Sequence, residues 1–502
     1  MNKCRLLGST AFVFFFSGFS AFADVTPEEV WGNWKASAAQ SGSSFTTESE
    51  AREGDTLVIT GLSTLAAADP AVEAEGKIDE VRLRDLGDGT VEITMSDSYS
   101  MSVVTRAAEG IEPPVAQSVI ISVKAPGAVT IASGTPEAVS YVFDIPALDA
   151  TMQADPEGAD PVDIQFSAVN TTGSYLIEDG EVMSSSGDIA AESFSFALKG
   201  KDSLAGQDID MTAAIGAIAG TFSATLLEPA LMEDMGAALT AGFAFNFDTS
   251  YGATLFTVNL VEATGPTMIS GGVESGKLTV GMDSTAFTYQ TGSKGLNLAI
   301  SSPDIPFPEV KLALSESGFG LSMPTTPTGA PAPFSFLAKL VDLTISDEIW
   351  GMLDPAGALP HDPASIILDG KGMATLTTNL FAAEAMESGA PPGDLVSFDL
   401  VQLLARVAGA ELTGTGAFTF DNTDLETFGG VPAPTGKIDL KVTGANTLMD
   451  TLISMGLLSE EDAMGARMMM SMFANPGAGE DEFTSVLEFK DKGFYANGQR
   501  LQ

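Results

Sequence analysis

The side chains that most often carry catalysis are sparse in this chain of 502 residues. His361 is the single histidine and Cys4 the single cysteine. A nucleophilic triad or a zinc site needs several such side chains together. The segment Ser122–Lys124 has neither the spacing nor the helical setting of a Ser-Lys hydrolase. The sequence therefore predicts no catalytic residue, no metal ligand and no cofactor, and we interpret His361 as a turn or surface residue.

Carboxylates are abundant, because the chain has 67 Asp and Glu residues. Two carboxylates in one cleft would suit a hydrolase of the glycosidase type, so this reaction class stays open as an alternative function. The acid-rich segments 82–90 and 149–163 resemble loose calcium loops, although neither has the ligand spacing of a known loop. A calcium-stabilised structural or surface protein is therefore a second alternative.

A methionine cluster near the carboxyl end is the most unusual local composition. Flexible thioether side chains fill gaps between packed helices, or they offer a surface to an apolar partner. Both interpretations apply to the helix expected here. The candidate partner surface consists of Met464, Met468, Met469 and Met472.

The amino-terminal segment has the pattern of a secretory signal peptide. Lys3 and Arg5 precede the apolar residues 6–22, and Ala21-Phe22-Ala23 ends the pattern. The apolar stretch is shorter than the roughly 20 residues that span a bilayer. We therefore predict cleavage after Ala23, a periplasmic or secreted protein, and no stable membrane span after cleavage. Cleavage would also remove Cys4, and disulfides with it.

The charge of the chain limits its partners. Without residues 1–23 the chain has 21 basic and 67 acidic side chains, a formal charge of −46. Nucleic acid binding depends on Lys and Arg side chains that neutralise phosphates, so we exclude nucleic acid as a partner. The same charge disfavours anionic lipid surfaces.

Alternation of apolar and polar residues dominates more than half of the chain, and turn residues separate the alternating segments. We predict a mainly β fold with some helices, an α+β protein with large, curved antiparallel sheets. A β-rich region with an amino-terminal helix is expected over residues 24–323. A Pro-rich boundary covers residues 324–333, and a mixed α+β region covers residues 334–502.

Several segments have helical patterns. Thr26-Pro27-Glu28-Glu29 is a capping box that starts a helix to about residue 39. The uncharged residues 211–227 are a strand pair, or one strand that continues into a short helix within residues 229–239. Further helices are expected over residues 334–340, 347–353 and 394–407. A helical hairpin is expected over residues 448–473, followed by a β-hairpin over residues 483–496.

Two segments carry a family resemblance. They are Leu343–Pro355, which continues through Leu359–Ala364 and residues 366–370, and Thr26–Trp31. They resemble a family of exported Gram-negative proteins known only as a domain of unknown function. The resemblance implies a match over nearly all of the mature chain and brings no catalytic residues with it. A looser similarity links the chain to AsmA-like envelope proteins, whose long sheets are associated with lipid movement.

These features favour a binding protein over an enzyme. Our leading hypothesis is a non-enzymatic periplasmic protein with an apolar groove, which binds a lipid-like ligand or an envelope protein. The hypothesis rests on the dominance of strands, the absence of catalytic constellations in the sequence and the abundance of small apolar residues.

Overall fold

The computed structural model describes most of the chain after the predicted signal peptide. The described residues are 24–40, 43–69, 72–105, 117–154, 161–180, 182–202, 206–227, 229–262, 264–382 and 391–502. The predicted signal peptide and its cleavage site lie outside them. None of the helices in this part of the chain has the length and apolarity needed to cross a bilayer.

The fold is mainly β, as the sequence predicted, and the strands join in one large antiparallel sheet. The amino-terminal strands are β1 (Ser43–Thr46), β2 (Ser49–Glu53), β3 (Thr56–Asp69), β4 (Val72–Asp85), β5 (Val91–Met95), β6 (Ser98–Thr105), β7 (Gln117–Lys124), β8 (Val129–Thr135) and β9 (Ala138–Ala154). The central strands are β10 (Val162–Glu178), β11 (Met183–Asp202), β12 (Gln207–Leu226), β13 (Phe245–Tyr251), β14 (Thr254–Glu262), β15 (Gly265–Val273), β16 (Ser275–Met282), β17 (Ala286–Ser301) and β18 (Val310–Pro324). The last strands are β19 (Ala332–Ile345), β20 (Ala364–Leu376), β21 (Gly393–Val407), β22 (Ala410–Asp421), β23 (Ala433–Thr443), β24 (Asn475–Pro476), β25 (Glu482–Lys490), β26 (Gly493–Ala496) and β27 (Gln499–Arg500).

Five α-helices accompany the sheet in the described residues: α1 (Pro27–Gln40), α2 (Met235–Thr240), α3 (Asp347–Leu353), α4 (Ala445–Ser454) and α5 (Glu460–Phe473). A short 3-10 helix, Pro229–Glu233, precedes α2. The predicted capping box of α1 is present, because Thr26 donates its backbone N–H to Glu29 and its hydroxyl accepts from the Glu29 backbone. The predicted helical hairpin is α4 and α5, and the predicted closing β-hairpin is β25 and β26.

Two predicted helices are wrong, because residues 334–340 lie in β19 and residues 394–407 lie in β21. Of the two interpretations of residues 211–227, one strand followed by a short helix is correct, and that strand is β12. The predicted boundary at residues 324–333 connects β18 to β19, which pair directly with each other.

Strand pairing follows the chain almost in sequence order. Each long strand from β18 to β22 pairs with the strand before it and the strand after it, and β23 pairs with β22 and β25. In several places a long strand is flanked by two short strands placed end to end, as β3, β4 and β9 are. Strand β12 pairs with β13 and β14, and β17 pairs with β15 and β16. The sheet therefore grows in one direction from the amino-terminal to the carboxyl-terminal end.

A line of backbone irregularities crosses the central strands, and we call it the seam. Asn170 in β10, Ala217 in β12, Gly295 in β17 and Asp342 in β19 all have a positive φ. The break between β13 and β14 lies on the same line, because the Gly216 N–H bonds to the Ala253 carbonyl at 2.9 Å. At Asn170, Ala217 and Gly295 the ladder of paired residues is interrupted, and the strands resume pairing in the same register.

The pattern of buried and exposed positions along a strand changes at the seam. In β9 the less exposed positions are odd up to Ala147 and even from Leu148. In β10 they are even up to Ala168 and odd from Thr171. The sheltered positions change together in the two strands, so sheltered residues stay opposite one another on both sides of the seam, as Leu148 is to Ala168 and Ile145 to Thr171.

A compact core exists at the amino-terminal end. Helix α1 inserts Val30 and Trp31 against strands β3, β4, β5, β8 and β9, and Trp31 is 2% exposed. The Trp31 ring stacks on Phe45 with 5.6 Å between ring centroids. The cluster consists of Val25, Val30, Trp31, Leu57, Ile59, Leu62, Val81, Leu83, Val91, Ile93, Ala132, Val139 and Tyr141.

Candidate functional site

One face of the sheet carries a continuous row of uncharged side chains, and we call this face the apolar face. Directly opposed residues of antiparallel strands point to the same side, so the strand registers trace the row from β9 to β26. At about 4.8 Å per strand the row is roughly 65 Å long. Its members are Tyr141, Tyr175, Gly187, Phe222, Phe247, Val280, Tyr289, Leu321, Phe336, Gly370, Leu400, Gly416, Ile438, Leu487 and Ala496.

A second row on the same face is rich in phenylalanine and glycine. Rings and glycines lie opposite one another in it, as Phe334 does to Gly372. A Cβ atom on Gly372 would lie 2.6 Å from the Phe334 ring, so the ring occupies the space above the glycine. Phe489 and Phe494 stack with 4.9 Å between centroids. The members of this row are Phe334, Gly372, Phe398, Phe418, Gly436, Phe489 and Phe494.

The opposite face is polar. The row next to that of Tyr141 is Val142, Ser174, Asp188, Thr221, Asp248, Thr279, Gln290, Gly320, Leu337 and Asp369. Its members bond across strands, as the Thr279 hydroxyl does when it donates to Asp248 at 2.6 Å. Single apolar residues on this face, such as Val142, are normal for a protein surface.

The apolar face is only partly buried away from the amino-terminal core. Phe247 and Phe319 are each 40% exposed, and Ile189 and Leu368 are also exposed. Each of these residues points to the apolar face by register. A phenylalanine that contacts water at this level leaves apolar area that a ligand could bury. The face therefore has the chemistry of a binding groove for an apolar ligand.

A cavity of about 530 Å³ lies where α1 meets the apolar face, and we call it the terminal cavity. Trp34 of α1 and Phe45 of β1 form one side. Tyr141, Tyr175 and Ile177 of β9 and β10 form the other. Its volume is within the range of small-molecule sites, about 300–1,000 Å³.

The two tyrosines of the cavity stack with 4.7 Å between ring centroids. Burial, together with the neighbouring Tyr141, raises the pKa of Tyr175 to about 12. Burial also raises the pKa of Tyr141, and a hydrogen bond with Trp34 opposes this shift. Both phenols are therefore neutral at physiological pH.

The methionines chosen from the sequence lie on α5. Met464, Met468, Met469 and Met472 are between 57% and 64% exposed, so these four side chains face outward. Ala463 is the buried residue of this helix. The end of α5 is attached to the sheet, because the Asn497 side chain donates to the Phe473 carbonyl at 2.9 Å.

His361 lies beside helix α3. Its ring stacks on Trp350 with 4.3 Å between centroids, and its Nε2 is 4.0 Å from Asp354. Hydrogen bonds from the backbone N–H groups of Leu359 and Ala358 hold the pKa of Asp354 below its usual range. This arrangement fixes the turn before β20.

The acid-rich segment 82–90 begins in β4 and continues through the turn to β5. Asp85 and Asp88 accept hydrogen bonds from Gly87 and Thr90 within the turn between β4 and β5. Part of the segment 149–163 lies outside the described residues. Across the described ranges, no group of three or more His, Cys, Asp or Glu side chains has an arrangement that could hold a metal ion.

The terminal cavity was not found from the sequence. Trp31 and Trp34 marked the amino-terminal helix, but their partners Tyr141 and Tyr175 lie more than a hundred residues away. The apolar row was missed for the same reason, because it contains a single residue from each strand.

Part of the chain matches a known family. Residues 261–498 match the model of a family described as an uncharacterized protein conserved in bacteria (DUF2125). The matched region begins near the end of β14 and ends after β26, so it is shorter than the near-complete match that the sequence resemblance implied. A search of the curated proteins finds no match to the chain.

Proposed function

We propose that this chain, whose residues 261–498 match a family of uncharacterised bacterial proteins, is a non-enzymatic binding protein of the cell envelope. Its ligand is lipid-like and lies along the apolar face. The observation that carries the proposal is the uncharged row from Tyr141 to Ala496, which remains partly exposed through the central strands.

The length of the apolar row and its uncharged side chains both support a lipid-like ligand. An acyl chain needs an extended apolar surface and few polar partners, whereas a small polar metabolite needs several placed hydrogen bonds. Each buried methylene of the ligand contributes about 0.8 kcal/mol, so even partial occupancy of the row gives useful affinity. The row is also long enough to accept more than one acyl chain.

The test uses two neighbouring residues of β19 that point to opposite faces. Phe336→Asn places an amide in the apolar row, and Leu337→Asn places the same amide on the polar face. Protein purified from a Gram-negative periplasm is extracted with organic solvent, and the lipid per protein is measured by mass spectrometry. We expect Phe336→Asn to lose at least half of the bound lipid and Leu337→Asn to retain it.

Circular dichroism shows whether both variants fold. Absence of lipid from the unmodified protein, or equal loss in two folded variants, overturns the proposal.

We also propose that Met464, Met468, Met469 and Met472 form a surface for an apolar partner in the envelope. The observation in favour is that these four of the five methionine side chains of α5 are more than half exposed. Replacing the four with Gln should change stability little, by about 0.5 kcal/mol or less per site. Cross-linking in the periplasm should lose its partner bands in this variant, and unchanged bands would contradict the proposal.

A further inference from the structure

We propose that the terminal cavity binds the positively charged amine head of an amphiphile whose acyl chain continues along the apolar face. This inference rests on the proposed function and adds the chemical class of the ligand. It concerns the one end of the apolar face where side chains of α1 and of the sheet enclose a space of about 530 Å³.

The cavity and the apolar face are continuous. Val139, Tyr141, Tyr175 and Ile177 line the cavity, and the same four residues belong to the apolar face of β9 and β10. Tyr175 is opposite Gly187 in the next strand, which leads to Phe222. A molecule with its head in the cavity therefore has its tail over uncharged residues.

The walls of the cavity are aromatic. Trp34, Phe45, Tyr141 and Tyr175 contribute rings from four different elements. Aromatic faces carry a negative potential and attract ammonium groups, and cages of several rings are the usual sites for quaternary amines.

The charges around the cavity have one sign. Glu137 and Asp179 line it, and no basic side chain is among its described lining residues. Lys35 of α1 lies over the Trp31 ring at 5.2 Å and pairs with Glu50, so its charge is engaged there. A carboxylate or a sulfate head would meet two negative charges, whereas an ammonium head would be attracted by both.

The experiment compares three dodecyl amphiphiles below their micellar concentrations: dodecyltrimethylammonium, dodecylphosphocholine and dodecanoate. Binding is followed by tryptophan fluorescence in a Trp350→Phe background, in which Trp31 and Trp34 remain. We expect the two amphiphiles with a trimethylammonium group to bind about tenfold more tightly than dodecanoate.

Two double variants separate the cavity from the general charge of the protein. Glu137→Gln with Asp179→Asn should weaken the binding of both trimethylammonium amphiphiles about tenfold and leave dodecanoate binding unchanged or stronger. Glu460→Gln with Glu461→Gln removes the same charge at the exposed start of α5 and should change nothing.

The outcomes are distinct. Equal affinity for all three heads, or an equal effect of the two double variants, overturns the amine inference and leaves the lipid-like function standing. No binding of any amphiphile overturns both. Selective loss in the cavity variant supports both.

Discussion

Strands β3–β9 and strands β13–β25 have the same alternation of apolar and polar side chains, but they meet different neighbours. In the first group β3, β4, β5, β8 and β9 pack against α1, and Trp31, Ile59 and Leu83 are almost fully buried. In the second group Phe247 and Phe319 on the apolar face are each 40% exposed. Alternation alone therefore specifies which face is apolar, and a covering element decides whether that face becomes a core or an open groove.

The largest effect on stability is expected at the amino-terminal end of the sheet, which α1 covers. Trp31→Ala removes the ring that α1 inserts against the sheet and should cost about 3–5 kcal/mol of the free energy of unfolding. Trp350→Ala, at a half-buried ring that stacks on His361, should cost roughly 1 kcal/mol. Urea unfolding followed by circular dichroism measures both, and equal losses would mean that the amino-terminal core is no more important than a surface stack.

The next largest effect on stability is expected at Gly372, in the partly exposed region of the apolar face. Gly372→Ala brings a Cβ to 2.6 Å from the Phe334 ring and 2.1 Å from the Ser397 carbonyl, and should cost about 1–3 kcal/mol. Gly465→Ala in α5 has no atom within 4 Å of the new Cβ and should gain up to about 1 kcal/mol from helix propensity. Thermal unfolding compares the two, and a neutral Gly372→Ala would show that the ring does not depend on that space.

The smallest effect lies at the carboxyl-terminal helices. The Asp481 carboxylate accepts the backbone N–H groups of Asn446 and Thr447 at the start of α4. Burial raises the pKa of Asp481, but these hydrogen bonds outweigh it and leave the pKa below its usual value of 3.8. An acid with a lowered pKa stabilises the fold at pH values above its unfolded pKa, and this contribution is lost as pH falls through the folded pKa.

Asp481→Asn should therefore destabilise α4 by roughly 1 kcal/mol at neutral pH, and the difference from the unmodified protein should shrink below about pH 4. The control is Glu480→Gln, a substitution of the same kind at the exposed neighbouring residue. Hydrogen exchange of the α4 amides measures the effect at both pH values. A difference that persists undiminished at low pH would contradict the ionised carboxylate as the cap.

Local signals in the sequence predicted much of the fold. The capping box of Thr26 and Glu29 predicted α1, and the spacing of apolar residues predicted α4 and α5. Strand alternation predicted a mainly antiparallel β protein. These signals succeeded because each depends on residues a few positions apart.

The wrong helices have a physical cause. In β21 a bulge lies between Leu400 and Leu403, so apolar residues follow one another at helix-like spacings. In β19 Leu337 is apolar although it faces the polar side, which disguises the alternation of Phe334 and Phe336. The terminal cavity depends on contacts between α1 and strands that are distant in sequence, and no local pattern encodes them.

The order of strand pairing also bears on how the protein forms. Because β10 pairs with β9, β11 with β10 and β12 with β11, each of these strands finds a partner that was synthesised before it. Neighbouring hairpins close short loops, which makes their formation fast. A chain that folds in the order of its synthesis, from the amino terminus, can therefore complete its core around Trp31 first. It can then add one strand at a time to the sheet. Among the described strands the carboxyl-terminal one, β27, has two residues, and a strand this short offers little edge for pairing with another chain.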